Sequence, residues 1–258
     1  MARVFESIKA FIFDLDGTLY LGDKAIPGAL KTIFTLLKHY QIFFLTNNSG
    51  KAQRQIVEKL VNLGFPASMQ NTYSVSYAIS CYLIENKIWP VYIVGSNQLK
   101  DEIMSRLGSV ETMRPVSAVV VGIDLDFSYE RIANALRAIR NGAKLIVANT
   151  DSYYPVGDGK VLPGCGAMVG AIIGATGHQP DFHVGKPNIY MLELICKEYG
   201  FSKEEICVVG DMPESDIRMA VNFECSSILF DPENAHSGQN FGIKVKSFDE
   251  LTLLIKEK

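Results

Sequence analysis

Apolar and polar positions fall along this chain in blocks of two kinds. Short, mostly apolar runs recur at Ala10–Phe13, Ile42–Leu45, Val91–Val94, Ala118–Val121, Lys144–Ala148, Ile206–Val209 and Ser226–Phe230. Runs of four or five residues read as buried strands. Between them, apolar residues recur at three- and four-residue spacing: Leu30, Ile33, Phe34 and Leu37; Ile56, Leu60 and Leu63; Leu192, Ile195, Cys196 and Tyr199. These predict amphipathic helices, with others over residues 97–107, 128–140 and 165–173. Gly64 suits a helix C-terminus, Pro66 prevents continuation, and Ser247 with Glu250 has the spacing of a capping box. Alternating strands and helices predict α/β layers around a largely parallel sheet.

Several predicted strands end in chemistry. The first runs into Asp14-Leu15-Asp16-Gly17-Thr18-Leu19, two carboxylates two residues apart where a strand opens into a loop. Ile42–Leu45 runs into Thr46-Asn47-Asn48-Ser49, which offers hydroxyl and amide donors. Gly185-Lys186-Pro187-Asn188 supplies a cation ahead of a helix, and Ile206–Val209 runs into Gly210-Asp211 and on to Asp216. A carboxylate nucleophile, an anion-binding hydroxyl, a charge-neutralising lysine and acids for a hard cation are what phosphoryl transfer requires, because its catalysis is mostly positioning and charge stabilisation. Gly17 falls too early for an EF-hand loop. Thr46, Asn47 and Ser49 also suit a helix N-cap, a role compatible with binding an anion.

The order and spacing of these four motifs resemble those of haloacid-dehalogenase (HAD) superfamily phosphatases. The middle segment, with Val147-Ala148-Asn149-Thr150-Asp151 and Leu162-Pro163-Gly164-Cys165-Gly166-Ala167, is similar to the cap of the NagD and para-nitrophenyl-phosphatase subgroup. The resemblance runs from about Lys9 to about Phe230. It implies a Rossmann-like, HAD-type parallel-sheet core over residues 1–78 and 181–258, with an α/β cap domain inserted over residues 79–180. The cap would cover the site and select the leaving group.

The resemblance also assigns roles. Asp14 is the nucleophile that becomes an aspartyl-phosphate, and Asp16 is the acid and base that protonates the leaving group and then activates water. Thr46 and Asn47 contact the phosphoryl group, and Asn48 matches a neighbour of the phosphate site. Lys186 neutralises charge between nucleophile and phosphoryl group. Asp14, Asp211 and the main-chain carbonyl of Asp16 hold Mg²⁺. Asp216 matches the second acid of the fourth motif, binding the metal through water or orienting Lys186. Asn149 and Asp151, at the end of a cap strand, either face the substrate or form an Asx turn. The implied activity is Mg²⁺-dependent hydrolysis of small phosphorylated metabolites. A phosphotransferase or mutase on the same core remains open, as does a regulatory binding protein that has kept the fold. A homodimer formed through the cap is an available assembly.

Composition narrows the field. The chain has 258 residues, 48% of them apolar, and a formal net charge of −3. That is ample for a sizeable core and gives no basic footprint for nucleic acid. No apolar run is long enough to span a membrane, and the first residues lack the apolar core of a signal peptide. The five cysteines, odd in number and without a CxxC pair, fit reduced thiols and a cytoplasmic location. Cys165 is expected to be a small apolar filler, and Gly164, Gly166 and Gly170 do not have dinucleotide-loop spacing. His39, His178, His183 and His236 show no metal-ligand spacing.

Overall fold

A computed structural model describes residues 5–108, 115–157, 160–236 and 242–256. In chain order, the first elements are β1 (Ala10–Asp14), β2 (Tyr20–Leu21), β3 (Lys24–Ala25), α1 (Ala29–Leu36), β4 (Gln41–Thr46), α2 (Gln53–Asn62), β5 (Thr72–Ser74) and α3 (Val75–Glu85). Next come β6 (Val91–Val94), α4 (Asn97–Leu107), β7 (Ala118–Val121), α5 (Tyr129–Arg140), β8 (Lys144–Val147), β9 (Tyr153–Gly157), β10 (Lys160–Pro163), α6 (Cys165–Thr176) and β11 (Phe182–His183). The chain closes with α7 (Tyr190–Tyr199), β12 (Ile206–Gly210), α8 (Arg218–Phe223), β13 (Ser226–Phe230), β14 (Ile243–Val245) and α9 (Phe248–Lys256). They build a mixed α/β protein of two compact units. One comprises Met1–Thr46, Val57–Tyr73 and Lys186–Lys258, the other Asn47–Ile56 and Ser74–Gly185.

The first unit is built on a six-stranded sheet in the order β14-β13-β12-β1-β4-β5. β1 runs parallel to both β12 and β4, and β12–β13 and β13–β14 are parallel as well. All five residues of β1 are buried, as befits a central strand covered on both faces. Because β1 lies between β4 and β12, the order of the strands reverses there. The loops leaving their carboxyl ends open a crevice at such a switch point, where α/β sheets bind ligands. The register puts Asp14 beside Leu45, and Phe13 beside Val209, so Thr46 and Asp211 leave the same edge as Asp14.

Helix α1 turns inward a stripe that shares Ile33 with the one its apolar spacing predicts but is otherwise rotated from it. Ala29, Thr32, Ile33 and Leu36 are buried, whereas Phe34 and Leu37 are exposed. Thr32 Oγ1 donates to Phe248 O at 3.0 Å, tying α1 to α9. Tertiary packing therefore overrides the amphipathic pattern. Gly64 does end α2, with φ +92° and the Phe65 N–H bonded back to Leu60 O. At α9, Ser247 Oγ accepts from Glu250 N as expected, but the Glu250 carboxylate reaches Lys246 N rather than Ser247 N.

The second unit carries its own sheet, in the order β11-β8-β7-β6, with parallel pairing throughout. Ser96 and Ser128 cap α4 and α5, each accepting from a backbone N–H three residues on. Cys165 begins α6 with its thiol buried and donating to Val121 O at 3.6 Å. β9 and β10 form a separate antiparallel hairpin.

Candidate active site

The first unit gathers the charged residues of three motifs at the carboxyl edge of its sheet. Asp14 ends β1. Asp211 follows β12, and Asp216 sits in the wide helical turn Pro213–Ile217 that leads into α8. Lys186 lies in a turn ahead of α7, and Asn222 Nδ2 steadies that turn by donating to Pro187 O at 3.1 Å. Asp14, Asp216 and Lys186 are buried. The Lys186 ammonium donates to Asp14 Oδ1 at 2.5 Å and to Asp216 Oδ1 at 2.6 Å. Asp216 Oδ2 accepts from Met212 N at 3.1 Å, so both its oxygens are engaged in holding the lysine and its own loop. Thr18 Oγ1 donates to Asp211 Oδ1 at 2.8 Å.

Two glycines make this crowding feasible. A Cβ at Gly17 would overlap the Asp211 carboxylate, and its φ of +87° disfavours any side chain. A Cβ at Gly210 would overlap the Asp216 carboxylate. The glycine of the Asp-x-Asp-Gly stretch is thus a space requirement of the fourth motif as well as a turn residue.

Asp14, Asp211 and Asp216 each offer an oxygen within 4.8 Å of the others, and Lys186 is ion-paired with Asp14 and Asp216. Burial raises the Asp14 carboxyl well above its ordinary range. Lys186 opposes that shift, while Asp216 and Asp211 reinforce it. Burial, then Asp216, likewise raises Asp211, against the Thr18 hydrogen bond and Lys186. Lys186 is raised too: burial works against its charge, but Asp14 and Asp216 outweigh burial. Three carboxylates sharing one ammonium repel one another unless protons or a second cation relieve them. The donors are all hard carboxylate oxygens, a set that suits a divalent cation such as Mg²⁺ or Mn²⁺ rather than a thiophilic one.

The remaining predicted residues fall at strand ends. Thr46 ends β4 and is buried. Asp16 is exposed on the loop after β1, and its Oδ2 accepts from Tyr20 Oη at 3.0 Å. Asn47, Asn48, Asn149 and Asp151 belong to the second unit. There Asn149 is buried and its carboxamide spans two backbone groups, donating to Asn47 O at 2.8 Å and accepting from Asp151 N at 3.1 Å. The second bond is the Asx turn. Asn47 Nδ2 donates to Asp151 Oδ2 at 3.4 Å, and Asn48 Oδ1 accepts from Gly50 N at 3.0 Å. Thr18 and Tyr20 were not singled out by sequence reasoning, although both lie in or beside the first motif. The partner of Thr18 is 193 residues away, and nothing local announces it.

A haloacid dehalogenase-like hydrolase family model matches residues 11–106, and a HAD-hydrolase-like model matches residues 183–240. Together they cover more than half of the chain, including every core motif. The chain belongs to the haloacid dehalogenase-like hydrolases. Within that superfamily it is of the NagD-like kind. The crystal structure of a 4-nitrophenylphosphatase from Thermotoga maritima is similar over 98% of this chain and 100% of that one, with a TM-score of 0.91 and 28% identity. An acid sugar phosphatase of Staphylococcus epidermidis is 34% identical over 222 residues, 85% of each protein. A chloroplastic phosphoglycolate phosphatase of Arabidopsis thaliana is 32% identical over 252 residues, 88% of this chain and 69% of the relative. No helix among the described residues of this HAD-like hydrolase is long and apolar enough to cross a membrane.

Proposed function

We propose that this protein is a Mg²⁺-dependent phosphatase that hydrolyses small phosphomonoesters through an aspartyl-phosphate on Asp14. The observation that carries the reading is the Lys186 ammonium held between Asp14 and Asp216 with Asp211 alongside, at the carboxyl edge of a parallel sheet. That arrangement leaves a buried excess of carboxylate charge beside the nucleophile. The phosphatase names of the relatives agree with it, while their different substrates leave the physiological ester to experiment.

Asp14 attacks phosphorus as the bond to the leaving group breaks. Asp16 passes its proton to the departing oxygen and, as a carboxylate, then takes a proton from the attacking water. Lys186 holds Asp14 in place and meets charge on the phosphoryl oxygens, and Thr46 and Asn47 supply hydrogen-bond donors, with Asn48 beside them. Asp216 fixes the lysine. Asp14, Asp211 and the Asp16 carbonyl would hold the metal. When bound, Mg²⁺ would supply positive charge that offsets the excess of carboxylates. Asp151 contributes to the choice among leaving groups, whereas Asn149 supports the backbone around it.

The test is phosphate release across a panel of phosphorylated metabolites and p-nitrophenyl phosphate, with Mg²⁺ or with excess chelator. Release that depends on Mg²⁺ supports the reading. Full activity in chelator, or no release from any ester, contradicts it.

A further inference from the structure

The Tyr20 phenol is 1% exposed, yet it donates to a carboxylate that lies at the surface, Asp16 Oδ2, at 3.0 Å. The backbone explains how ring and acid meet. After Asp16 the chain doubles back, with the Leu19 and Tyr20 N–H groups both bonded to Leu15 O and Gly17 N bonded to Tyr20 O at 2.9 Å. β2 then pairs with β3 and anchors the returning segment. From the ring face, the Lys59 ammonium lies 3.9 Å from the centroid, a cation–π contact that braces the phenol. Without a partner, an aspartate on an exposed loop samples several rotamers, and each wrong one withdraws its proton from the reaction.

We propose that Tyr20 is the positioning residue for Asp16, with Lys59 bracing its ring. The proposal rests on the reading of Asp16 as proton donor and acceptor. The phenol occupies Oδ2 and sets the plane of the carboxyl group, which leaves Oδ1 to do the proton transfer. In the first step the bond from phosphorus to the leaving oxygen breaks as Asp14 bonds to phosphorus, and the proton on Asp16 Oδ1 goes to that oxygen. In the second, Asp16 Oδ1 takes a proton from water as the water oxygen bonds to phosphorus and the bond to Asp14 breaks. A ring needed only for packing requires no hydroxyl, and phenylalanine fills the same space.

The experiment compares Tyr20→Phe, Lys59→Met, Asp16→Asn and the Tyr20→Phe/Asp16→Asn double variant with the wild type, in Mg²⁺. Rapid quench measures phosphoenzyme formation from p-nitrophenyl phosphate and from the alkyl phosphate the wild type turns over fastest. An alkoxide leaves only with a proton, whereas nitrophenolate needs little help. General acid catalysis is typically worth about 10²–10⁴-fold, and a misaimed acid forfeits part of it. Tyr20→Phe is expected to slow the alkyl ester about tenfold or more and the aryl ester less than about threefold, with KM changed by under about twofold. Lys59→Met, which keeps the phenol but removes its brace, shifts the same ratio in the same direction by less. It carries the test if Tyr20→Phe fails to fold. The double variant is expected to be no slower than Asp16→Asn alone, since an aim without an acid does nothing. Equal slowing of both esters, an additive double variant, or wild-type behaviour in Tyr20→Phe overturns the proposal. If Asp16→Asn itself shows no leaving-group discrimination, the role of Asp16 fails and this proposal falls with it; discrimination there but not in Tyr20→Phe removes Tyr20 alone.

Discussion

Asp216 holds Lys186 with an Oδ1–Nζ separation of 2.6 Å, and its other oxygen is tied to Met212 N. The second acid of the fourth motif thus contacts the lysine that also contacts Asp14. Asp216→Asn weakens that hold while preserving shape. Turnover should fall by about tenfold to a hundredfold, while the Mg²⁺ concentration for half-maximal activity rises by less than about threefold. A large rise in the Mg²⁺ requirement with an unchanged maximal rate would make Asp216 a metal ligand instead.

Gly17→Ala probes the packing of the first motif against the fourth. The new methyl would overlap the Asp211 carboxylate at a backbone conformation alanine resists. Displacing Asp211 should weaken Mg²⁺ binding by about tenfold or more, measured by titration of activity and by calorimetry. Wild-type affinity in this variant would show that the loop can move aside without cost.

Asn149 and Asp151 should separate. Asn149 is buried and donates to the Asn47 carbonyl, so Asn149→Ala removes a buried hydrogen bond. A loss of about 1–3 kcal/mol in unfolding free energy is expected, with all substrates slowed by a common factor. Asp151 is exposed, and Asp151→Ala should instead change the ratio of kcat/KM values across a phosphate panel. The reverse pattern would exchange the two roles.

The cysteines offer a test of burial. Burial pushes the Cys165 thiol up to about 12, opposed by backbone hydrogen bonds from Asn149 and Ala148 and reinforced by Asp151. A thiolate is what alkylates, and burial keeps this thiol protonated at pH 8. Mass spectrometry after iodoacetamide at pH 8 should find Cys165 unmodified in the native protein and modified in urea. Rapid native labelling would contradict its place in the second unit's core.

How much of this was legible beforehand depended on whether the signal was local. The strands at residues 10–14, 42–45, 91–94, 118–121, 206–209 and 226–230 were visible because buried parallel strands read as continuous apolar runs. Asp14, Asp16, Thr46, Lys186 and Asp211 stood out because each motif keeps its chemistry within a few residues of a strand end or turn. Other elements carried no such mark. α3 is apolar on most sides and lacks a clean amphipathic stripe. In β9 and β10, Tyr153, Val161 and Leu162 are exposed, so no alternation of buried and polar positions announced the hairpin. Thr18 and the inward face of α1 depend on partners far off in sequence or on packing, and Tyr20 meets Asp16 only because the loop doubles back, none of which periodicity encodes.

As proposed above, Asp14 is the nucleophile that bonds to phosphorus. The most direct test of that role is acid quench of the enzyme within milliseconds of mixing with radiolabelled phosphomonoester and Mg²⁺, followed by peptide mapping of the labelled chain. The account predicts an acid-stable, alkali-labile label on the peptide containing Asp14, absent from Asp14→Asn. Label on any other residue, or a labelled Asp14→Asn protein, would contradict it.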